Sequence, residues 1–199
     1  MIIHNYKLII VTPPKTASVS ITEAVKDHLS IDRWIPQTKD CFDFIETGRQ
    51  QASKHLRIGD YKEYIKPYYV VGCIRNPYDR MVSWWSWFKT SRFNENNLTF
   101  YDFVTKKRNF QFTSINQLDF LSIDGKCFAD DWIRFESLIS DFKRVCNITG
   151  MPTQLLPHRN KTKHKHYTEY YNNDTLEIVT NLYQKDIEYF GYKFGGNTN

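Results

Sequence analysis

The chain has 199 residues, 41% hydrophobic and 25% charged, a balance that excludes disordered and fibrous proteins and lets one domain bury roughly 70% of its unfolded surface. A formal net charge of +5 suits a local anionic ligand better than a long stretch of nucleic acid, which asks for a far more basic surface. The longest uncharged apolar-rich runs, residues 68–74 and 81–88, fall well short of the ~20 residues of a membrane span, and residues 8–11 are too short for a signal-peptide core, so the expected setting is the cytoplasm.

Residues 6–12 read as a short buried strand that runs into Pro13-Pro14-Lys15-Thr16-Ala17-Ser18. A helix over 18–29 follows, with Ile21, Ala24, Val25 and Leu29 on one face. Residues 30–53 look irregular and polar, and 55–65 suit a short helix. Residues 68–74 form the second clear strand, apolar on both faces as in a covered parallel sheet. Asn76 is placed to cap the next helix, with Pro77 in its first turn and an end near Thr90. A helix is expected over 100–107, a strand over 131–135 and a helix over 136–146. The last helix starts near Asp174 and carries Leu176, Val179, Tyr183, Ile187 and Phe190 at three-to-four spacing. Strands alternating with helices predict one α/β domain over 1–199 with a mainly parallel central sheet flanked by helices.

The first chemical signal lies in the turn between the first strand and helix. A helix N-terminus offers unpaired N–H groups and the positive end of a dipole to an anion. Thr16, Ala17 and Ser18 are small enough for a phosphate to approach the backbone. Lys15 adds a mobile cation, and Ser18 and Ser20 add hydroxyls. The nucleoside triphosphate P-loop, G-x-x-x-x-G-K-[ST], shares only the Lys-Thr pair. Pro14 stands where its second glycine belongs, and no glycine precedes Lys15. The strand Val70-Val71-Gly72-Cys73-Ile74 ends in Arg75, where a Walker-B strand would end in a Mg²⁺-binding aspartate. A cation there repels a metal and attracts a second phosphate.

That second signal is Arg75-Asn76-Pro77-Tyr78-Asp79-Arg80-Met81-Val82-Ser83. Arg75 can fork onto a phosphate, and Ser83 can donate to the same group. Arg80 stands one turn before Ser83 and can support either. Asp79 is expected to pair with a nearby arginine. Two anion sites at strand ends suit a nucleotide phosphorylated at two positions.

This pairing resembles the sulfotransferases that use PAPS (3′-phosphoadenosine 5′-phosphosulfate), and is most similar to the carbohydrate-type branch, sulfotransferase family 2. The matching segments are Pro14-Lys15-Thr16-Ala17-Ser18, Lys54-His55, Arg75 through Ser83, Trp132-Ile133-Arg134-Phe135-Glu136-Ser137-Leu138, Pro157-His158-Arg159-Asn160-Lys161-Thr162-Lys163, and Asp186-Ile187-Glu188-Tyr189-Phe190-Gly191-Tyr192. The resemblance implies a P-loop-like three-layer fold. It implies a 5′-phosphosulfate site at Lys15, Thr16, Ala17, Ser18, Val19 and Ser20, and a 3′-phosphate site at Arg75 and Ser83. Val19 departs from the threonine often found there, which removes one hydroxyl. The resemblance also implies in-line sulfuryl transfer from PAPS to an acceptor hydroxyl, in the first place on a carbohydrate, without a metal. Lys15 would meet charge on the departing phosphate oxygen. His55 would take the acceptor's proton, against the plainer reading of a surface or helix-capping histidine.

Other readings stay open on the residues alone. The basic stretch 158–166 can be a solvated loop, a lid over the nucleotide with Lys161, Thr162 and Lys165 as contacts, or a metal site through His164 and His166. Trp84, Trp85, Trp87, Phe88, Phe93, Phe100 and Tyr101 suit a core, with a minority available as a stacking floor for a ring. Cys41, Cys73, Cys127 and Cys146 form no C-x-x-C pair, so reduced thiols and no structural zinc are expected. A P-loop kinase or other nucleoside triphosphate enzyme is the second function class, and a basic aromatic nucleic-acid binder the third. A glycan, a tyrosyl peptide, a lipid headgroup and a phenol all fit as acceptor.

Overall fold

The computed structural model describes residues 1–28, 57–90, 97–107, 113–152, 156 and 165–196. In chain order the described elements are β1 (Ile2–Ile3), β2 (Leu8–Val11), α1 (Ser18–His28), β3 (Tyr69–Ile74), α2 (Pro77–Thr90), α3 (Phe100–Asp102), α4 (Gln117–Phe120), β4 (Ser122–Ile123), β5 (Lys126–Cys127), β6 (Asp131–Arg134), α5 (Leu138–Thr149), α6 (Asn173–Leu182) and α7 (Gln184–Phe190). Short 3₁₀ turns stand at His4–Tyr6, Ile58–Tyr61, Phe135–Ser137 and Tyr167–Tyr170, and α3 continues as a π turn over Phe103–Lys107. The chain divides into two compact units. One is Met1–Ile74 with Asp119–Asn160, and the other is Arg75–Leu118 with Lys161–Asn199.

The first unit holds a four-stranded sheet in the order β1-β2-β3-β6. β2, β3 and β6 run parallel, with Ile9 opposite Val70 and Cys73 opposite Ile133, while β1 pairs antiparallel with β2. This is the expected mixed α/β architecture with a mainly parallel sheet. Side chains alternate across a strand, so Leu8, Ile10, Val71, Cys73 and Ile133 share one face. They pack with Ile21, Ala24 and Val25 of α1 and Phe142, Val145 and Cys146 of α5 in one buried cluster. All four residues of β2 are fully buried, which explains why its sequence shows no polar alternation. On the opposite face, a Cβ built on Gly72 would lie 2.8 Å from both Leu121 methyls and 2.9 Å from Trp132. Only glycine fits there without displacing a neighbour.

Several boundaries differ from expectation for identifiable reasons. Tyr6 belongs to the first 3₁₀ turn, closed by Lys7 in the left-handed region (φ 45°), so the first strand starts at Leu8. The two-residue β1 and the β4–β5 hairpin were not expected. In the 55–65 stretch the described helical turn is limited to Ile58–Tyr61. The strand expected over 131–135 ends at Arg134, where the Asp141 carboxylate accepts the Arg134 N–H (2.9 Å) and the Ser137 hydroxyl (2.7 Å). α5 then runs beyond Cys146 to Thr149, and Gly150 closes it with φ 74°.

The second unit is built around aromatic side chains. α2 starts as expected, with the Asn76 side chain accepting the Tyr78 N–H at 3.0 Å. Tyr78, Met81, Trp84 and Phe88 of α2 join Phe100, Phe103, Tyr167, Val179 and Tyr183 in its core. Trp85 and Trp87 pack against this core half-buried, and Trp85 donates to the Leu98 carbonyl at 2.8 Å. Tyr101 is exposed, and Phe93 lies outside the described residues. The single last helix expected from Asp174 is two helices that meet at Tyr183 (φ −111°, ψ 24°). The hydrogen-bond ladder survives the bend through Tyr183 N–H to Val179 (3.1 Å) and Ile187 N–H to Tyr183 (2.9 Å).

Candidate functional site

The loop after β2 carries the first candidate site. Lys15 (φ 72°) and Ala17 (φ 73°) both occupy the left-handed region without being glycine, at a cost of order 1–3 kcal/mol each. Such strain persists where the surroundings over-determine it, and ligand clamps are a common place for it. The loop is braced from inside. Thr16 is buried, and its hydroxyl donates to the Pro13 carbonyl at 2.7 Å. That commits the Thr16 hydroxyl proton to the loop itself. The Ala17 carbonyl accepts the Ile21 N–H at 3.1 Å, so α1 begins directly off the strained turn. Ser18 and Ser20 are buried, whereas Lys15, Ala17 and Val19 are half-buried. A turn rich in left-handed residues that opens a helix presents backbone N–H groups to an anion.

The second candidate site begins where β3 ends. β2 and β3 are parallel neighbours, with Val11 opposite Gly72, so both strands finish at the same end of the sheet. Arg75 is buried, at 6% exposure. Its guanidinium meets one oxygen of Asp79 through Nε (2.9 Å) and Nη2 (2.8 Å), which is the arginine pairing expected of Asp79. Asp79 and Ser83 lie four residues apart on α2, on one face, and Ser83 is half-buried.

Arg80 takes a different place from the one its spacing suggested. It is fully buried, donates to the Ile115 carbonyl at 3.0 Å and stacks 5.3 Å from the Tyr183 ring centroid. Its charge opposes the effect of burial on Asp186, whose carboxyl burial pushes above the ordinary range. Asp186 also accepts the main-chain N–H of Gln117 (2.7 Å) and Leu118 (2.9 Å). The segment Asp186–Tyr192 is therefore structural. Phe190 and Tyr192 are buried, and Gly191 ends α7 with φ 73°.

Lys54, His55, Lys161, Thr162 and His164 lie outside the described residues. Lys165 is exposed, forms a 3.5 Å ion pair with Glu169, and its N–H donates to the Tyr170 hydroxyl at 3.0 Å. The His166 ring sits 4.6 Å from that of Tyr167, with Nδ1 2.7 Å from the Thr168 hydroxyl. Among the described residues no cluster of three metal-ligating side chains occurs. The three described cysteines are free thiols. Burial raises the Cys73 thiol well above its ordinary range and that of Cys146 to about 11, which leaves both inert as nucleophiles.

Gln117 escaped the sequence reading. It is fully buried, and its amide meets both main-chain groups of Arg75. It sits in a polar stretch without periodicity, so nothing local marks it. No curated protein and no solved structure matches the chain. A family model described as the sulfotransferase family matches residues 1–193, which takes in both candidate phosphate motifs and the Asp186–Tyr192 segment. The chain is an enzyme of the sulfotransferase family.

Proposed function

We propose that this enzyme transfers a sulfuryl group from PAPS to an acceptor hydroxyl, in the first place on a carbohydrate, and that its fold is of the P-loop-like three-layer type. The observation that carries this reading is the pair of motifs that follow β2 and β3. One is a strained small-residue turn with a lysine that opens a helix. The other is a buried arginine where a triphosphate enzyme would hold a metal-binding aspartate. A nucleotide with a phosphosulfate at one end and a phosphate at the other answers both.

The donor fits the residues present. The turn at Lys15–Ser20 would hold the 5′-phosphosulfate, and Arg75 with Ser83 the 3′-phosphate. PAPS supplies a sulfuryl group on a good leaving phosphate. In the transfer the acceptor oxygen bonds to sulfur as the sulfur–oxygen bond to the 5′-phosphate breaks, the electron pair leaving on that phosphate oxygen. Lys15 would neutralise the charge that develops there, the term usually largest in such sites. The acceptor's proton would go to His55, imidazole being the side chain that ordinarily exchanges a proton near neutral pH. Lys161, Thr162 and Lys165 would close over the nucleotide.

The test is turnover and binding in the same variant. His55→Ala should abolish sulfuryl transfer from labelled PAPS while PAP, the desulfated product, still binds with near wild-type affinity. Wild-type turnover in that variant removes His55 from the mechanism. A screen of glycan, phenol and tyrosyl-peptide acceptors with labelled PAPS decides the acceptor class.

A further inference from the structure

Arg75 follows directly on β3, at the point where the sheet's own hydrogen bonding stops. Gln117 takes over there. Its Oε1 accepts the Arg75 N–H at 2.8 Å, and its Nε2 donates to the Arg75 carbonyl at 2.9 Å. One side-chain amide thus pairs both main-chain groups of one residue, as a neighbouring strand would. The amide is oriented in turn by Asp186, whose Oδ2 accepts Gln117 Nε2 at 3.1 Å and the Gln117 N–H at 2.7 Å. A carboxylate that accepts from Nε2 leaves Oε1 to face the Arg75 N–H, so the network fixes which way the amide points. Gln117 and Asp186 are both fully buried, where a satisfied polar network is rigid and a broken one is expensive. At the far end, Asp79 holds the guanidinium through Nε and Nη2. Arg75 is therefore fixed at its main chain and at its charge by different partners.

We propose that Gln117, oriented by Asp186, is a positioning residue for the 3′-phosphate arginine: it fixes the Arg75 main chain and so sets how the guanidinium meets that phosphate. This inference rests on the donor reading given above. It differs from a purely structural role in one measurable respect. A residue that acts through Arg75 affects ligands with a 3′-phosphate and spares those without one.

The experiment measures dissociation constants of PAP and of 5′-AMP, which lacks the 3′-phosphate, for wild type, Gln117→Met, Arg75→Ala and the double variant, with folding checked by circular dichroism. Methionine preserves volume and removes both bonds to Arg75. Gln117→Met should weaken PAP about tenfold, because a less pre-organised arginine binds its phosphate more weakly, and leave 5′-AMP within about twofold. With PAPS as substrate the loss should appear in KM and not in kcat, because the 3′-phosphate is remote from the reacting sulfur. In the Arg75→Ala background the Gln117 substitution should add little, the signature of coupled residues. An equal weakening of both ligands, or full additivity with Arg75→Ala, overturns the positioning role alone. A wild-type protein that does not prefer PAP to 5′-AMP overturns the donor reading and this inference with it. Should Gln117→Met fail to fold, Gln117→Asn replaces it. The shorter amide cannot span both Arg75 groups, and the same ligand ratio decides.

Discussion

Lys15 and Ala17 show how this loop does without the glycines of a triphosphate P-loop. The sequence holds no glycine before Lys15, yet the backbone turns left-handed at Lys15 and again at Ala17. The conformation is imposed by its surroundings: the Thr16 hydroxyl on the Pro13 carbonyl and the start of α1 on the Ala17 carbonyl. Small side chains and a lysine were legible, and they made the loop a candidate. The strain was not, because a propensity argument assigns positive φ to glycine first. Two substitutions at Ala17 separate these contributions. Ala17→Gly relieves the strain but loosens the unfolded chain, so stability should stay within about 1 kcal/mol of wild type. Ala17→Val places a β-branched side chain where it is a true outlier and should cost more than about 2 kcal/mol. Denaturant midpoints compare the two, and equal midpoints would show that the turn relaxes when substituted.

At the scale of elements, long apolar signals were legible and short contacts were not. β2, β3, α1 and α2 announced themselves by buried runs, helical spacing and the Asn76 cap. β1 and the β4–β5 hairpin span two residues per strand, too few for any period to register. The Val179, Tyr183, Ile187 spacing ran through the bend between α6 and α7 because the hydrogen-bond ladder does the same. Gly72 and Arg80 are the places where an element's packing can be tested. Gly72→Ala puts a methyl against Leu121 and Trp132 at under 3.0 Å, and overpacking of this kind should cost about 1–3 kcal/mol, read as a lowered melting temperature. Arg80→Met removes the charge that opposes burial at Asp186. The carboxyl, already above its ordinary range, then rises further, and its ionised form loses that counter-ion. A loss of about 3–5 kcal/mol is expected at pH 7. A folded-state value above the unfolded 3.8 means that the native form holds the proton more tightly. The deficit should therefore shrink as pH falls through the raised value toward 3.8. A deficit independent of pH would show that Arg80 acts through packing on Tyr183 and Ile115 instead.

For the molecule as a whole, the two candidate phosphate motifs stand out in the sequence because each is local, a strand that runs straight into a turn and a helix. Gln117 was not, because it reaches Arg75 across 42 residues, a contact that exists only once the chain has folded. The same locality makes the function separable by ligand. If one nucleotide engages both motifs, its halves should report on them independently. Ligands that bind only the native state stabilise it by mass action, by about 2.7 kcal/mol at a hundredfold excess over Kd, and so raise the melting temperature. PAP should stabilise the enzyme without added metal more than 5′-AMP or 3′-AMP at equal concentration, and ATP with Mg²⁺ should do little. Lys15→Ala should weaken the 5′-AMP response and spare that to 3′-AMP. Arg75→Glu should erase the 3′-AMP response and leave PAP acting like 5′-AMP. A PAP shift unchanged in Arg75→Glu would break the link between the arginine after β3 and the 3′-phosphate, and a shift that needs Mg²⁺ would move the enzyme toward triphosphate chemistry.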